Sequence, residues 1–302
     1  MDISFQRIIN SRFGVGFTLA FARILPPAAG YPFARFLADQ ISSRNHLKLV
    51  QAARINQFVA HGEGMSAEEL EKAVTDTLRH TAQCLYETYH YFRNEEAIQR
   101  LVIIESETRK KLDQILNQKE GIILVGLHLS NFDFVGQATS GSELDALALA
   151  LPRPGGGYKW QNKVRRDSGM EIVPTSLETM RRATRVLKEG GIVLTAIDRP
   201  IEGSKHPIKF FGRPASLPLH HILLALKTDV PIIVVAVIMK PDGRYEVVHS
   251  DPVIMERVED RDTELILNAE RVLRIAEDFI RLAPSQWSMY YPVWPEVHDR
   301  LP

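Results

Sequence analysis

The sequence predicts an α/β protein: a central mixed, largely parallel sheet flanked by helices, with a helical N-terminal region built onto it. Residues 1–100 place apolar side chains at helical spacing throughout. From about residue 120 onward, short continuous apolar runs alternate with helical segments. Such runs mark strands buried on both faces, as in a sheet covered by helices.

The elements follow in chain order. Apolar runs over Phe13–Ala22 and Ile24–Ala34 are punctuated by Arg12, Arg23 and Arg35, and Pro26-Pro27 breaks the second. Neither reaches the ~20 residues that span a bilayer, and Met1-Asp2-Ile3-Ser4 lacks the basic start of a secretory signal. Residues 5–41 read as one or two amphipathic helices. They either lie in a membrane interface, with arginines reaching headgroups, or pack on the core. Asn45–Gly62 carries Leu49, Ala52, Ala53, Ile55 and Val59 near the 3.6 period and stops at glycine. Ser66-Ala-Glu-Glu69 is a capping box opening a long helix with Leu70, Ala73, Val74, Leu78, Ala82, Leu85 and Tyr89 on its apolar face. Ile122–Leu127, Leu144–Leu151, Ile192–Ile197 and Ile232–Met239 read as buried strands. Leu177–Glu189 is a crossover helix, Val247–Val253 an edge or antiparallel strand, and Asp262–Leu282 a closing helix. The expected organisation is a helical region over residues 1–100 and an α/β domain over 101–302 that forms one structural unit.

The bulk numbers exclude some functions. The 302 residues carry 37 basic and 37 acidic side chains, a formal net charge of zero. A nucleic-acid binder normally shows a basic excess, so nucleic acid is not an expected partner. A membrane surface needs only a local basic patch and stays open. The single cysteine, Cys84, forms no internal disulfide and no cysteine-based metal cluster, which fits a reducing compartment.

The chemistry concentrates in Gly121-Ile-Ile-Leu-Val-Gly-Leu-His128-Leu-Ser-Asn-Phe-Asp133. A buried strand ends in a histidine, and a helix begins within a few residues. Functional groups of open α/β sheets gather at such strand ends. With Ser130 as N-cap, Asp133 falls at N3 and points back toward the entering chain, beside the imidazole. A carboxylate there holds the tautomer, frees the other ring nitrogen as a base and stabilises the imidazolium. The same Ser-x-x-Asp spacing also reads as a capping box that needs no chemistry.

His-x-x-x-x-Asp resembles the signature of the glycerolipid-type acyltransferases, and further segments agree in order and spacing. Asn45 to Asn56 and the helix from Ser66 resemble the N-terminal half of one branch. That branch holds the late acyltransferases of lipid A synthesis and the related phosphatidylinositol mannoside acyltransferases. Lys163-Val-Arg165-Arg-Asp-Ser-Gly169 resembles its arginine-before-glycine segment, and Gly190-Gly-Ile-Val-Leu-Thr-Ala-Ile-Asp198-Arg199 its second strand-end acidic motif. Lys209-Phe-Phe-Gly212-Arg-Pro-Ala215 and Ala283-Pro-Ser-Gln-Trp287 complete a likeness covering nearly the whole chain.

The resemblance implies an O-acyltransferase with His128 as general base, removing a proton from an acceptor hydroxyl that attacks a thioester. Asp133 would orient and charge-stabilise His128. Gly-x-Ser-x-Gly is absent and Cys84 lies mid-helix, so no covalent acyl-enzyme is expected. Asn131, or backbone amides at the new helix start, would steady the oxyanion. Arg165 would anchor a phosphorylated headgroup or the donor's phosphopantetheine, near Arg153, Lys159, Lys163 and Arg166. Asp198 would either contact sugar or headgroup hydroxyls or be structural, paired with Arg199 or Arg181. Phe210-Phe211 would line the acyl channel or pack in the core. After Pro218 the family usually carries small residues. Leu219, His220 and His221 stand there instead and would shorten an acyl pocket or change the acceptor. Adjacent histidines rarely converge on one ion, so no metal site is expected.

The expected protein is peripheral, on the cytoplasmic face of the bacterial inner membrane, with no bound cofactor. Its partners would be the membrane surface, an acyl-CoA or acyl-carrier protein donor, and a lipid or glycolipid acceptor. The rival readings are an ester or thioester hydrolase using the same pair, a non-catalytic lipid-binding protein, and a metal-dependent hydrolase.

Overall fold

The computed structural model describes residues 22–117, 120–138, 146–150, 162, 165–166 and 171–302. At its centre is a seven-stranded sheet. The strands are β1 (Val102–Ile103), β2 (Ile122–Gly126), β3 (Ala146–Ala150), β4 (Glu171–Pro174), β5 (Ile192–Ala196), β8 (Ile232–Met239) and β9 (Tyr245–His249). A separate hairpin holds β6 (Ile208–Phe210) and β7 (Arg213–Ala215). The spatial order β1-β9-β8-β2-β5-β3-β4 puts β2 in the middle, parallel to both β5 and β8. Among neighbouring strands of this sheet only β8 and β9 pair antiparallel, so the sheet is mixed and largely parallel, as the apolar runs predicted. Ile123, Val125, Val193, Ile232, Ile233 and Val234 are buried, as expected of strands covered on both faces.

The departures lie where strands are short or polar. The C-terminal strand starts earlier than its apolar run, at Tyr245, and is not an edge, because β1 covers it. Val253 instead makes an isolated bridge to Ile232. Of the two edge strands, β4 is only partly buried and ends in proline, which protects an edge from further pairing but erases its apolar signature. The β6–β7 hairpin turns on Phe211 and Gly212, both at positive φ (51° and 73°). A two-residue turn of that kind suits glycine and strains phenylalanine. The Phe211 N–H donates to Glu277 Oε1 (2.6 Å) and its ring lies under the Arg281 guanidinium, which offsets the strain.

The helices are α1 (Pro27–Ser42), α2 (Lys48–Ala60), α3 (Ala67–His90), α4 (Glu95–Leu101), α5 (Ser106–Asn117), α6 (Phe132–Ala138), α7 (Leu177–Lys188), α8 (His220–Thr228) and α9 (Arg261–Leu282). The Ser66–Glu69 capping box forms as the sequence predicted and opens α3. Helix α1 starts at Pro27, where fixed φ and a missing N–H cost nothing. It packs on α3 closely enough that a Cβ at Gly30 would sit 2.2 Å from the Tyr86 ring. Asp39 accepts two hydrogen bonds from Arg79 (2.5 and 3.0 Å), fixing the same contact. Val50, Phe58, Leu70 and Leu78 of α2 and α3 share one apolar cluster with Ile123, Val193 and Val234 of the sheet. Fully burying each such side chain contributes about 1.5–3 kcal/mol.

After α9 the chain makes a short turn at Pro284–Gln286 and runs back over the N-terminal helices. Gln57 donates to the Pro284 carbonyl. Asn56 donates to Met289 and Tyr291 and accepts from the Val293 N–H. These bonds tie α2 to the segment that completes the site.

Gly121 enters β2 against the end of α7, where an added Cβ would lie 2.0 Å from the Leu187 carbonyl oxygen. Gly121→Ala is expected to lower stability by about 1–3 kcal/mol or more, because backbone and not a flexible side chain must move. Urea unfolding followed by circular dichroism would measure the loss.

Candidate active site

Strands β2 and β5 lie side by side with Gly126 opposite Ala196, an offset of 70 residues. Carried two residues on, the same offset brings His128 beside Asp198. His128 Nδ1 donates to Asp198 Oδ1 (2.7 Å), and the His128 backbone N–H donates to Oδ2 (2.8 Å). Trp287 Nε1 donates to the same Oδ2 at 2.8 Å. Asp198 is 0% exposed. Burial alone would raise its pKa, but the His128 imidazole and these N–H groups outweigh burial and hold the carboxyl below its usual range. With Nδ1 donating, Nε2 carries the lone pair and makes no hydrogen bond among the described residues. The His128 side chain is 19% exposed.

The sequence expectation put Asp133 beside His128 and left Asp198 either on a headgroup hydroxyl or buried as a structural carboxylate; the structure puts buried Asp198 beside His128. The cause is a one-residue shift in the helix start. Ser130 has φ 52° and does not cap α6. Asn131 caps instead, its Oδ1 accepting from the Phe134 N–H (3.3 Å). Asp133 is then the second residue of α6 and faces Arg165, whose Nε and Nη2 donate to it at 2.5 and 3.0 Å. Arg165 also donates to Asn162 Oδ1 (3.1 Å), and its guanidinium lies over the Phe132 ring. On the other side of the acid–arginine pair lies the His128 loop, for the His128 ring meets Phe132 edge-on with 5.4 Å between centroids.

Asn131 is also engaged. Its Oδ1 accepts from Thr88 Oγ1 (2.7 Å) and its Nδ2 donates to the Cys84 carbonyl (3.1 Å). Buried and engaged at both ends of the amide, it anchors the loop to α3. The loop has a second hold on α3, between Ser130 Oγ and His80 Nε2 (3.0 Å). Burial pushes the His80 pKa down to about 4, keeping the imidazole neutral. Cys84 Sγ lies 3.3 Å from the same nitrogen, and the Tyr245 hydroxyl donates to the buried Glu87 carboxyl. Thr77, His80, Cys84, Glu87 and Thr88 recur at helical spacing on the buried face of α3. That polar stripe was the available signal for loop anchors on α3.

The remaining candidates divide. Phe210 and Phe211 pack with Trp287 and Trp294 in an aromatic cluster beside Asp198, and Phe210 is fully buried. His220 Nε2 lies 2.8 Å from Thr195 Oγ1 of β5, and His221 is buried with neither ring nitrogen hydrogen-bonded among the described residues. Arg199 stacks its guanidinium over the Tyr291 ring, 3.8 Å from the centroid. Arg166 is exposed, and Arg153, Lys159 and Lys163 lie outside the described residues. Trp287 had no role read from its sequence. Nothing local to Pro284-Ser-Gln-Trp287 announces that its indole meets a carboxylate 89 residues away.

A strand-end imidazole with one nitrogen fixed on a buried carboxylate is an arrangement that general-base chemistry can use. The family model for bacterial lipid A biosynthesis acyltransferases matches residues 4–295, nearly the whole chain, and the protein belongs to that family. It is therefore an O-acyltransferase of lipid biosynthesis, acting with an acyl donor and a lipid acceptor. No match was found among curated proteins. Among the described residues, no helix is long and apolar enough to cross a membrane.

Two tests follow from the buried groups. His80 has a lowered pKa in the folded state against an ordinary value of 6.5, so the unfolded chain binds its proton first as pH falls. Its contribution to stability is intact above pH 6.5 and is lost as pH drops toward 4, by roughly 2 kcal/mol at pH 5. Compared with wild type, His80→Gln should lose less stability between pH 7 and pH 5 in parallel urea titrations. Burial raises the Cys84 thiol far above its usual pKa. Native protein should therefore resist iodoacetamide at neutral pH and be alkylated only after unfolding, as read by intact mass.

Proposed function

We propose that this protein moves a fatty-acyl group from acyl-CoA or acyl-carrier protein to a hydroxyl of a membrane lipid or glycolipid, with His128 as general base and Asp198 as its orienting carboxylate. The observation that carries this reading is the His128 imidazole, bonded through Nδ1 to buried Asp198 and open at Nε2.

In this reading Nε2 takes the acceptor's hydroxyl proton as the oxygen bonds to the thioester carbonyl carbon. The carbonyl electron pair moves to oxygen and returns as the carbon–sulfur bond breaks. The leaving thiolate takes the proton from the imidazolium, which restores neutral His128. Asp198 stabilises the imidazolium between these steps without taking the proton. No side chain is acylated, and the burial of Cys84 fits that course.

Asp133 and Arg165 serve the ligand side. A guanidinium binds phosphate in a two-pronged fashion, and both the donor's phosphopantetheine and a phosphorylated headgroup present one. Asp133 holds Arg165 next to the base until such an anion arrives. The His-x-x-x-x-Asp spacing then joins a base to the holder of a cation.

The acceptor is reached from the surface of the cytoplasmic leaflet. Ile24, Phe33, Phe36 and Leu37, with Leu85 of α3, leave large apolar side chains exposed near Arg23 and Arg35. That mixture suits an interface, where apolar groups enter the acyl boundary and arginines remain at headgroups.

The test is lipid mass spectrometry of a strain lacking the protein, complemented with wild type, His128→Ala or Asp198→Asn. One defined lipid should lose an acyl chain, and only wild type should restore it fully. Asp198→Asn should turn over roughly a hundred- to ten-thousandfold more slowly than wild type, because the amide no longer fixes the tautomer. An unchanged lipid profile in the deleted strain would overturn the proposal. Steady donor hydrolysis by purified protein, indifferent to added lipid, would point instead to a thioesterase.

A further inference from the structure

We infer that Trp287 is a positioning residue for the catalytic pair, setting the place and charge of Asp198 through its indole N–H. The inference rests on the roles proposed above for His128 and Asp198.

Residues 286–288 hold the pair from three directions. The Ser130 N–H donates to the Gln286 carbonyl (2.9 Å), and the Ser288 N–H donates to the His128 carbonyl (2.8 Å). Leu129 and Trp287 thus form an antiparallel bridge that lays the catalytic loop against this segment. The indole then reaches Asp198 Oδ2, the oxygen that also accepts from the His128 backbone. A carboxylate carrying both donors on Oδ2 keeps Oδ1 for the imidazole.

The segment is itself fixed, so it can fix something else. Gln286 Nε2 donates to the Met239 carbonyl (2.9 Å) and its Oε1 accepts from the Met239 N–H (2.7 Å), locking it to the end of β8. Ser288 Oγ lies 2.6 Å from Thr81 Oγ1 of α3. The Trp287 ring is 6.0 Å from Phe210 and 6.2 Å from Phe211 and Trp294.

Trp294 supplies the internal comparison. It is buried in the same cluster, stacked on Phe210, yet among the described residues its indole N–H has no hydrogen-bond partner. Packing alone would make the two tryptophans equivalent. The N–H aimed at Asp198 separates them.

The experiment compares full-length wild type, Trp287→Phe and Trp294→Phe. Histidine-labelled protein reports the His128 titration and tautomer by 15N NMR. The deletion strain reports how much of the missing acylated lipid each variant restores. The charged and titratable groups around the pair are retained in all three: Asp133 with Arg165, His80 behind Ser130, and Arg199 on Tyr291.

Trp287→Phe leaves the carboxylate charge more concentrated on His128. Its titration should move to higher pH, and lipid acylation should slow roughly ten- to a hundredfold, the size of one lost hydrogen bond to a buried carboxylate. Trp294→Phe should leave both readouts at wild-type values. A folded Trp287→Phe with an unmoved His128 titration overturns the inference, as does an equal effect of the two substitutions.

If Trp287→Phe does not fold, the indole N–H resonances of wild type and Asp198→Asn decide. Only the Trp287 resonance should shift, and a stationary one overturns the inference. Should the deleted strain show no lipid change while the NMR results hold, the proposed reaction fails and the positioning role stands.

Discussion

The site depends on the register between β2 and β5. Both strands follow a glycine, Gly121 and Gly191, and they pair residue for residue from Ile122–Ile192 to Gly126–Ala196. That alignment puts an imidazole and a carboxylate at the same height at the carboxyl end of the sheet, where open α/β folds collect their ligands. Slipping the pairing by one residue would turn His128 or Asp198 to the opposite face. The buried strands Ile122–Gly126 and Ile192–Ala196 are thus what sets a 2.7 Å contact.

A carboxylate with no exposed surface is expensive unless donors surround it. Here they come from His128 twice and from Trp287, and the first of these groups is the base of the proposed reaction. Stability and reactivity therefore share an interaction. The electrostatic stabilisation of Asp198 is the same contact that engages Nδ1 of the imidazole and leaves Nε2 without a hydrogen bond among the described residues. The buried polar stripe of α3 extends this arrangement by fixing Ser130 and Asn131 from behind, so the helical N-terminal region contributes to the geometry of a site built on the sheet.

Much of this was legible in the sequence, and the failures have physical causes. The long apolar runs of β2, β5 and β8 were readable because burial on both faces leaves a continuous signature. Strands β1, β4, β6 and β7 were not, being short, partly exposed or held by a turn. His128 was readable from its place after a buried strand. Its partner was not. Spacing within one segment favours the nearer acid, Asp133, whereas the actual contact depends on which strands become neighbours. Ser130 misled for a local reason: serine commonly caps helices, but here its backbone is left-handed and Asn131 takes the cap. Trp287 was legible only as part of a resemblance, since an indole donor has no sequence pattern that names its acceptor.

The segment around Trp287 also imposes an order on assembly. A growing chain presents His128 and then Asp198 long before residues 286–288 leave the ribosome. The sheet can gather with β2, β5 and β8 in place while its carboxylate still lacks the indole and its loop still lacks the strand partner. A partly made chain, though already rich in native secondary structure, carries an imidazole and a carboxylate set beside each other by β2 and β5 but without the hydrogen bonds of residues 286–288.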